Sequence, residues 1–333
     1  MFLIVWFALQ SEVWKKGFDW RIFSATFGTL RWDWLALGAL LALATYYGRA
    51  LRWAVLIRPV KPHPAMRNLL SATVIGFTAI TLLGRPGEFV RPYLISAKEQ
   101  VPFSSQLAAW MLERIYDLLV ALLVFGFALS QVRQSGIQAG PRLAWVLEAG
   151  GWFVAVTALT TLVILLLIRH YSESMKNRLL AALGFLSPER FAKVERLVTA
   201  FVQGVESTRN RKSVLLLTGY TVLEWVVIAA CTYCVMKAFG SAVQFGWIDV
   251  LIFLGFGSFG ALIQIPGVGG GVQVVSVLIL TELFSLPFEV AASVAVTIWI
   301  ITFVIVVPIG IVFALHEGVH WSRLRQVGRE VAS

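Results

Sequence analysis

Charge is scarce in this chain: Asp, Glu, Lys and Arg make up only 14% of its 333 residues, against 58% hydrophobic ones, and the mean hydropathy is +0.79. That balance excludes an ordinary soluble domain, in which about a quarter of residues are charged. Acidic residues are the scarcer sign, 18 against 28 Lys and Arg, for a net charge of +10. In a soluble protein that excess would suggest nucleic acid. Here the basic residues crowd into loops between apolar runs, where they act as topology signals beside anionic headgroups, so no nucleic-acid partner is expected. Cysteine is limited to Cys231 and Cys234, as CTYC inside one apolar span. With no second pair and no neighbouring histidine, they read as small buried helix residues rather than a metal or redox site. The four histidines, His63, His170, His316 and His320, fall at span ends or in loops, and no Walker A sequence occurs. No cofactor, metal or ATP motor is implied.

What the chain does have is long apolar runs, about eight in all, and they predict an all-α, polytopic membrane helix bundle. Met1 to Gln10 is apolar but, at roughly 15 Å as helix, spans only half a bilayer core. It lacks a positive leader and a clear cleavage site, so a partial first span is expected rather than a signal peptide. Ser11 to Asp33 interleaves Trp14, Phe18, Trp20, Phe23 and Phe27 with Lys15, Lys16 and Arg21, as an interfacial helix does. Spans are expected at 34–57, 105–129, 144–168, 213–236 and 290–315. Broken hairpins are expected at 65–94 and 249–286. From Arg169 to Lys212 the chain carries nine Lys or Arg against four Glu, so this stretch reads as a cytoplasmic loop. Within it, Phe191 to Val205 has the spacing of a membrane-surface helix.

The residues that carry chemistry interrupt the apolar runs. GRPGEFVRPYL, Gly84 to Leu94, puts Arg85, Glu88 and Arg91 beside two prolines at membrane depth, and such a segment must face protein or a water-filled cavity. Glu113, Arg114 and Asp117 sit near the middle of the next span, with Glu113 and Asp117 four apart on one helix face. Glu224 is a lone carboxyl at the centre of its span and a candidate for proton coupling. In IPGVGGGVQ, Ile265 to Gln273, the glycines Gly267, Gly269, Gly270 and Gly271 allow close backbone approach, and freed amides there can hold an anion. GFGSFG, Gly255 to Gly260, lies in an apolar span without strands around it and reads as a packing surface rather than a nucleotide site.

The halves have the same order of span, amphipathic linker, span, broken hairpin and span, entered from opposite sides. A single integral membrane domain is expected, with an inverted-topology repeat of about 1–135 and 143–316 and a basic cytoplasmic tail at 317–333. In such a fold the substrate site lies near the midplane, where the interrupted segments meet.

GRPGEFVRPYL, ERIYDLL (Glu113 to Leu119) and PGVGGGVQ (Pro266 to Gln273), in this order, resemble the flippase-like membrane domain of lysylphosphatidylglycerol synthases. The resemblance covers nearly the whole chain. It implies a bacterial plasma-membrane protein that carries a lipid to the other leaflet. The soluble synthase domain of bifunctional members is not expected, since the chain ends at Ser333. Gln273 stands where members often have Glu.

The leading expectation is a non-enzymatic, flippase-like transporter of a polar or anionic lipid, whether phospholipid, aminoacyl-phospholipid or polyprenyl-linked lipid. Its candidate binding residues are Arg85, Glu88, Arg91, Glu113, Arg114, Asp117, Gly267, Gly269, Gly270 and Gln273. Arginine forks suit lipid phosphate. The competing account of these charges is internal: Arg85, Arg91 and Arg114 balance Glu88, Glu113 and Asp117 and hold the bundle together. Two other functions fit the same pattern, a membrane partner of a lipid synthase or glycosyltransferase and an intramembrane lipid-modifying enzyme.

Overall fold

A computed structural model of the chain describes residues 18–134, 141–182, 188–208, 210–258 and 271–318. Among these residues the regular structure is helical throughout: α1 Trp20–Gly28, α2 Trp32–Ile57, α3 Met66–Leu83, α4 Val90–Glu99, α5 Phe103–Gln134, α6 Pro141–Ala182, α7 Pro188–Val205, α8 Arg211–Ala238, α9 Trp247–Gly257, α10 Gly271–Glu282, α11 Phe288–Trp299 and α12 Val306–His316. A π-helical segment, Ile300–Val304, joins the last two. Six stretches are long and apolar enough to cross a membrane: α2, α3, α5, Ala149–Leu167 within α6, α8, and Phe288–His316. With the shorter apolar helices α9 and α10 they account for the eight expected runs. The run from Met1 to Gln10 lies outside the described residues.

Of the segment expected as an interfacial helix, Trp20–Gly28 is helical, and residues 11–17 lie outside the described residues. Asp19 caps α1 by accepting from the amides of Arg21 and Ile22 at 2.8 and 3.4 Å. Its aromatics Phe18, Trp20, Phe23 and Phe27 pack edge to face. One boundary differs from expectation. The span at 144–168 does not end at Arg169; α6 runs on to Ala182, 42 residues in all. At 1.5 Å per residue that is about 63 Å, twice a bilayer core, so the basic residues ride on a helical extension rather than a loop. A second adjustment concerns α7. Its C-terminal turns are packed rather than laid on a surface: Val202 and Val205 are buried, and a Cβ on Gly204 would meet the Ser105 carbonyl at 2.5 Å.

Two compact units share the chain, each with its own core. The first takes residues 1–44, 121–155 and 226–305. Phe125, Phe256, Met236, Phe239 and Leu283 lie in its core. Here the two glycine and cysteine motifs are packing surfaces: a Cβ on Gly255 would meet Ala128 at 2.7 Å, and Cys231 Sγ contacts the Gly38 carbonyl at 3.2 Å. The second unit takes residues 45–120, 156–225 and 306–333, around Trp53, Leu56, Ile75, Leu112 and Leu217.

Within the second unit, α3 breaks as the proline and glycine pattern predicts. It stops at Gly84, whose φ of 72° and ψ of −146° suit a residue without a Cβ. A 3-10 turn over Arg85–Phe89 reverses the chain, and α4 returns along α3. The return is close because Gly87 and Gly76 have no side chains. A Cβ on Gly87 would stand 2.4 Å from the Ala79 carbonyl oxygen, and one on Gly76 would stand 2.6 Å from Arg91 Cβ. At the far end Glu99 fastens the hairpin. It accepts from Asn68 Nδ2 at 2.7 Å and the Ala65 amide at 3.3 Å, and pairs with Lys61 at 2.8 Å. Burial raises its pKa, but these donors outweigh burial and hold it below the ordinary carboxylate value.

Candidate functional site

The hairpin delivers Arg91 to a set of charges that α2, α5 and α8 supply in the same unit. Arg49 and Arg52 stand three apart on α2, and Glu113 and Asp117 stand four apart on α5, so each pair shares a helix face. Arg52 is the centre. Its Nη1 and Nη2 reach the two Asp117 carboxylate oxygens at 2.6 and 3.2 Å, and Nη2 also reaches Glu113 Oε1 at 2.6 Å. The guanidinium is only 1% exposed, and Thr221 Oγ1 of α8 accepts from it at 3.3 Å.

Arg91 Nη1 approaches both Glu113 oxygens, at 3.1 and 2.9 Å, and its Nη2 donates to the Arg49 carbonyl at 2.9 Å. Its guanidinium lies 4.1 Å from the centre of the Trp53 ring, a cation–π stack, and Gln106 holds that indole through Nε1–H at 2.9 Å. Arg49 pairs with Glu224 at 2.8 Å and lies over Phe77 at 4.4 Å. Arg52 is the second partner of Glu224, at 3.2 Å. At the other end Arg114, 41% exposed, pairs with Asp117 at 3.3 Å and Glu113 at 3.5 Å.

The seven side chains thus form one chain of ion pairs with four guanidiniums and three carboxylates, a surplus of one positive charge. Pairing is what makes these groups tolerable, since a lone charge at mid-membrane costs about 2.5–3.5 kcal/mol on an insertion scale. Satisfaction is incomplete, however. The Nε–H groups of Arg49, Arg52, Arg91 and Arg114 are all buried and none meets an acceptor among the described residues; Glu224 Oε2 likewise accepts no hydrogen bond. Buried donors of this kind are normally satisfied. Chemically, the cluster is suited to holding an oxyanion.

Of the residues singled out in the sequence, Arg91, Glu113, Arg114 and Asp117 come together here. Arg85 stands exposed in the 3-10 turn, while Glu88 is half-buried and acts on Arg114 electrostatically. The expected set of three charges against three is incomplete: Arg49 and Arg52 also take part, and Arg52 holds Asp117. Glu224 is not lone; two arginines face it. Gln273 is in the first turn of α10, in the other unit, and Gly267, Gly269 and Gly270 lie outside the described residues. Arg49 and Arg52 were readable as topology markers near a span end. The signal against that reading is WAVLI after Arg52, which sets its charge about 8 Å inside the apolar run. No group of three His, Cys, Asp or Glu side chains converges as metal ligands would among the described residues.

A family model, described as the lysylphosphatidylglycerol synthase TM region, matches residues 1–310 and so takes in the hairpin and all seven charges. The chain belongs to this family. No curated protein and no solved structure matches it. As a member of the lysylphosphatidylglycerol synthase transmembrane-region family with six stretches, among the described residues, long and apolar enough to cross a membrane, it is an integral membrane protein. The interrupted hairpin and the ion-pair chain it completes both fall within the stretch that defines that membership.

Proposed function

We propose that this protein is a flippase-like transporter that moves a polar or anionic lipid between leaflets, with the arginine cluster receiving the headgroup. The observation that carries the reading is a cluster of four guanidiniums against three carboxylates in which the buried Nε–H groups meet no acceptor among the described residues. Guanidinium groups make short, charge-assisted bonds to phosphate oxygens, and a lipid phosphate beside Arg114 supplies an acceptor and the missing negative charge. Arg114 and Asp117 form the accessible end, where side chains are 41% and 20% exposed, and Arg52 with Glu113 forms the sealed end.

In this reading the sealed pairs are scaffold and Arg114 handles cargo. Glu224 serves as counter-ion to Arg49 and Arg52. No bond is made or broken, so the protein acts as carrier rather than enzyme. Phospholipid, aminoacyl-phospholipid and polyprenyl-linked lipid all present the phosphate that the cluster suits. The excess of nine basic over four acidic residues in 169–212 supports a cytoplasmic placement of that stretch, and with it a bacterial plasma membrane and a cytoplasmic C-terminus. Reconstitution tests the reading: liposomes with fluorescent phospholipid should lose inner-leaflet protection from an impermeant quencher faster with the protein than without it. Equal rates with and without the protein, for phospholipid and polyprenyl-phosphate probes alike, would overturn it and favour a role as partner to a lipid or glycan synthase.

A further inference from the structure

Away from the arginine cluster, the second unit has a cavity of about 420 Å³ between α3, α12 and α2, a volume within the usual range for small-ligand sites. Its walls are mostly apolar, with Leu70, Val312 and Phe313, and Tyr47 contributes from within α2. Two basic side chains also line it, Arg67 and His316, and they form its mouth because both are at helix ends. Arg67 is the second residue of α3, a helix about 27 Å long and so matched to the hydrocarbon core; His316 is the last residue of α12. Both are therefore at headgroup level. Tyr47 is ten residues before the end of α2, about 15 Å along its axis, so the apolar wall extends from the helix ends into the span.

The charges around the mouth are unevenly matched. Arg67 and His316 make no ion pair or side-chain hydrogen bond among the described residues. The carboxylate next to them, Glu317, is taken by Lys98, which also donates to Ser71 Oγ at 2.5 Å. Glu99 is taken by Lys61 and Asn68. Among the described residues no carboxylate pairs with Arg67 or His316. Val312 is 64% exposed and Tyr47 52%, so the groove is open along its length rather than enclosed.

From this we infer a second lipid site: the groove holds one phospholipid of anionic headgroup, its phosphate at Arg67 and His316 and an acyl chain along Leu70, Val312 and Phe313. A phospholipid is the occupant because the site pairs a basic mouth at headgroup depth with an apolar trough beneath it. A free phosphate would leave the trough empty, and an uncharged lipid would leave Arg67 and His316 without an anion. Basic pockets at helix ends hold anionic headgroups in this way. The site is separate from the proposed transport cluster, and it is read out by lipid retention rather than lipid movement.

The test is native mass spectrometry of the delipidated full chain in detergent, titrated with phosphatidylglycerol. Wild type should retain one phosphatidylglycerol at least fivefold more tightly than the double variant Arg67→Gln, His316→Gln and than Val312→Trp, which fills the trough and leaves the basic groups in place. All three positions are exposed, and circular dichroism is the check that the variants fold. Diacylglycerol should bind weakly, and millimolar inorganic phosphate should not displace the lipid. Equal retention by the three proteins, equal binding of diacylglycerol, or displacement by phosphate would each overturn the inference.

Discussion

Arg52 grips Asp117 through both guanidinium nitrogens, at 2.6 and 3.2 Å, and the same group reaches Glu113 at 2.6 Å. One buried cation thereby holds two carboxylates of α5 from α2. Removing it leaves both acids buried and under-paired, which costs about 3–5 kcal/mol for a broken buried pair. Arg52→Gln is expected to lower the thermal midpoint of the detergent-solubilised protein by several degrees, whereas Arg114→Gln, at the half-exposed end, should leave it nearly unchanged. Similar midpoints for the two variants would show that the cluster has no sealed and open ends.

Arg91 presents a different dependence. It contacts both oxygens of Glu113 and stacks on Trp53, and a lysine can do neither with the same geometry. Arg91→Lys should therefore destabilise almost as much as Arg91→Gln, and a double-mutant cycle with Glu113→Gln should give a coupling of about 1–3 kcal/mol. Additive effects would mean that the pair contributes nothing to holding the hairpin.

How much of this was legible in the sequence depended on the physical signal each residue carried. The apolar runs and the proline and glycine break at 84–92 found their helices and their turn because span length and backbone restriction are local properties. The acids of α5 stood out because charge in the middle of an apolar run has few innocent explanations. Arg49 and Arg52 were hidden, since basic residues near a span end also serve as topology signals, and only tertiary packing shows that α5 and α8 cover them. Glu224 looked alone for the same reason. Its partners are more than 170 residues away in the chain.

Gly87 tests the hairpin directly. The atoms that a Cβ would meet, Ala79 C and O and Ile80 N within 2.5 Å, are all backbone and cannot turn aside. Gly87→Ala is expected to cost at least the 1–3 kcal/mol typical of overpacking. Chymotrypsin cleavage at Phe89, in the turn of the hairpin, should then be faster than in wild type. Unchanged midpoint and cleavage rate would contradict the close return of α4.

Glu99 gives the fold a pH dependence of known sign. Its folded pKa is lowered from the ordinary 4.5, so its contribution is fully present above that value and declines as pH falls through the folded pKa. The stability gap between wild type and Glu99→Gln should be constant from pH 7 to about 5 and should shrink below pH 4.5. A gap that widens on acidification would contradict the bonded carboxylate.

The central claim is that Arg114, at the accessible end of the cluster, handles a lipid phosphate, and its most direct measurement is lipid translocation by wild type and Arg114→Gln in matched liposomes. Wild type should expose inner-leaflet label to an impermeant quencher, and Arg114→Gln should do so at least tenfold more slowly while keeping its fold and midpoint. Translocation by Arg114→Gln at the wild-type rate would contradict the claim.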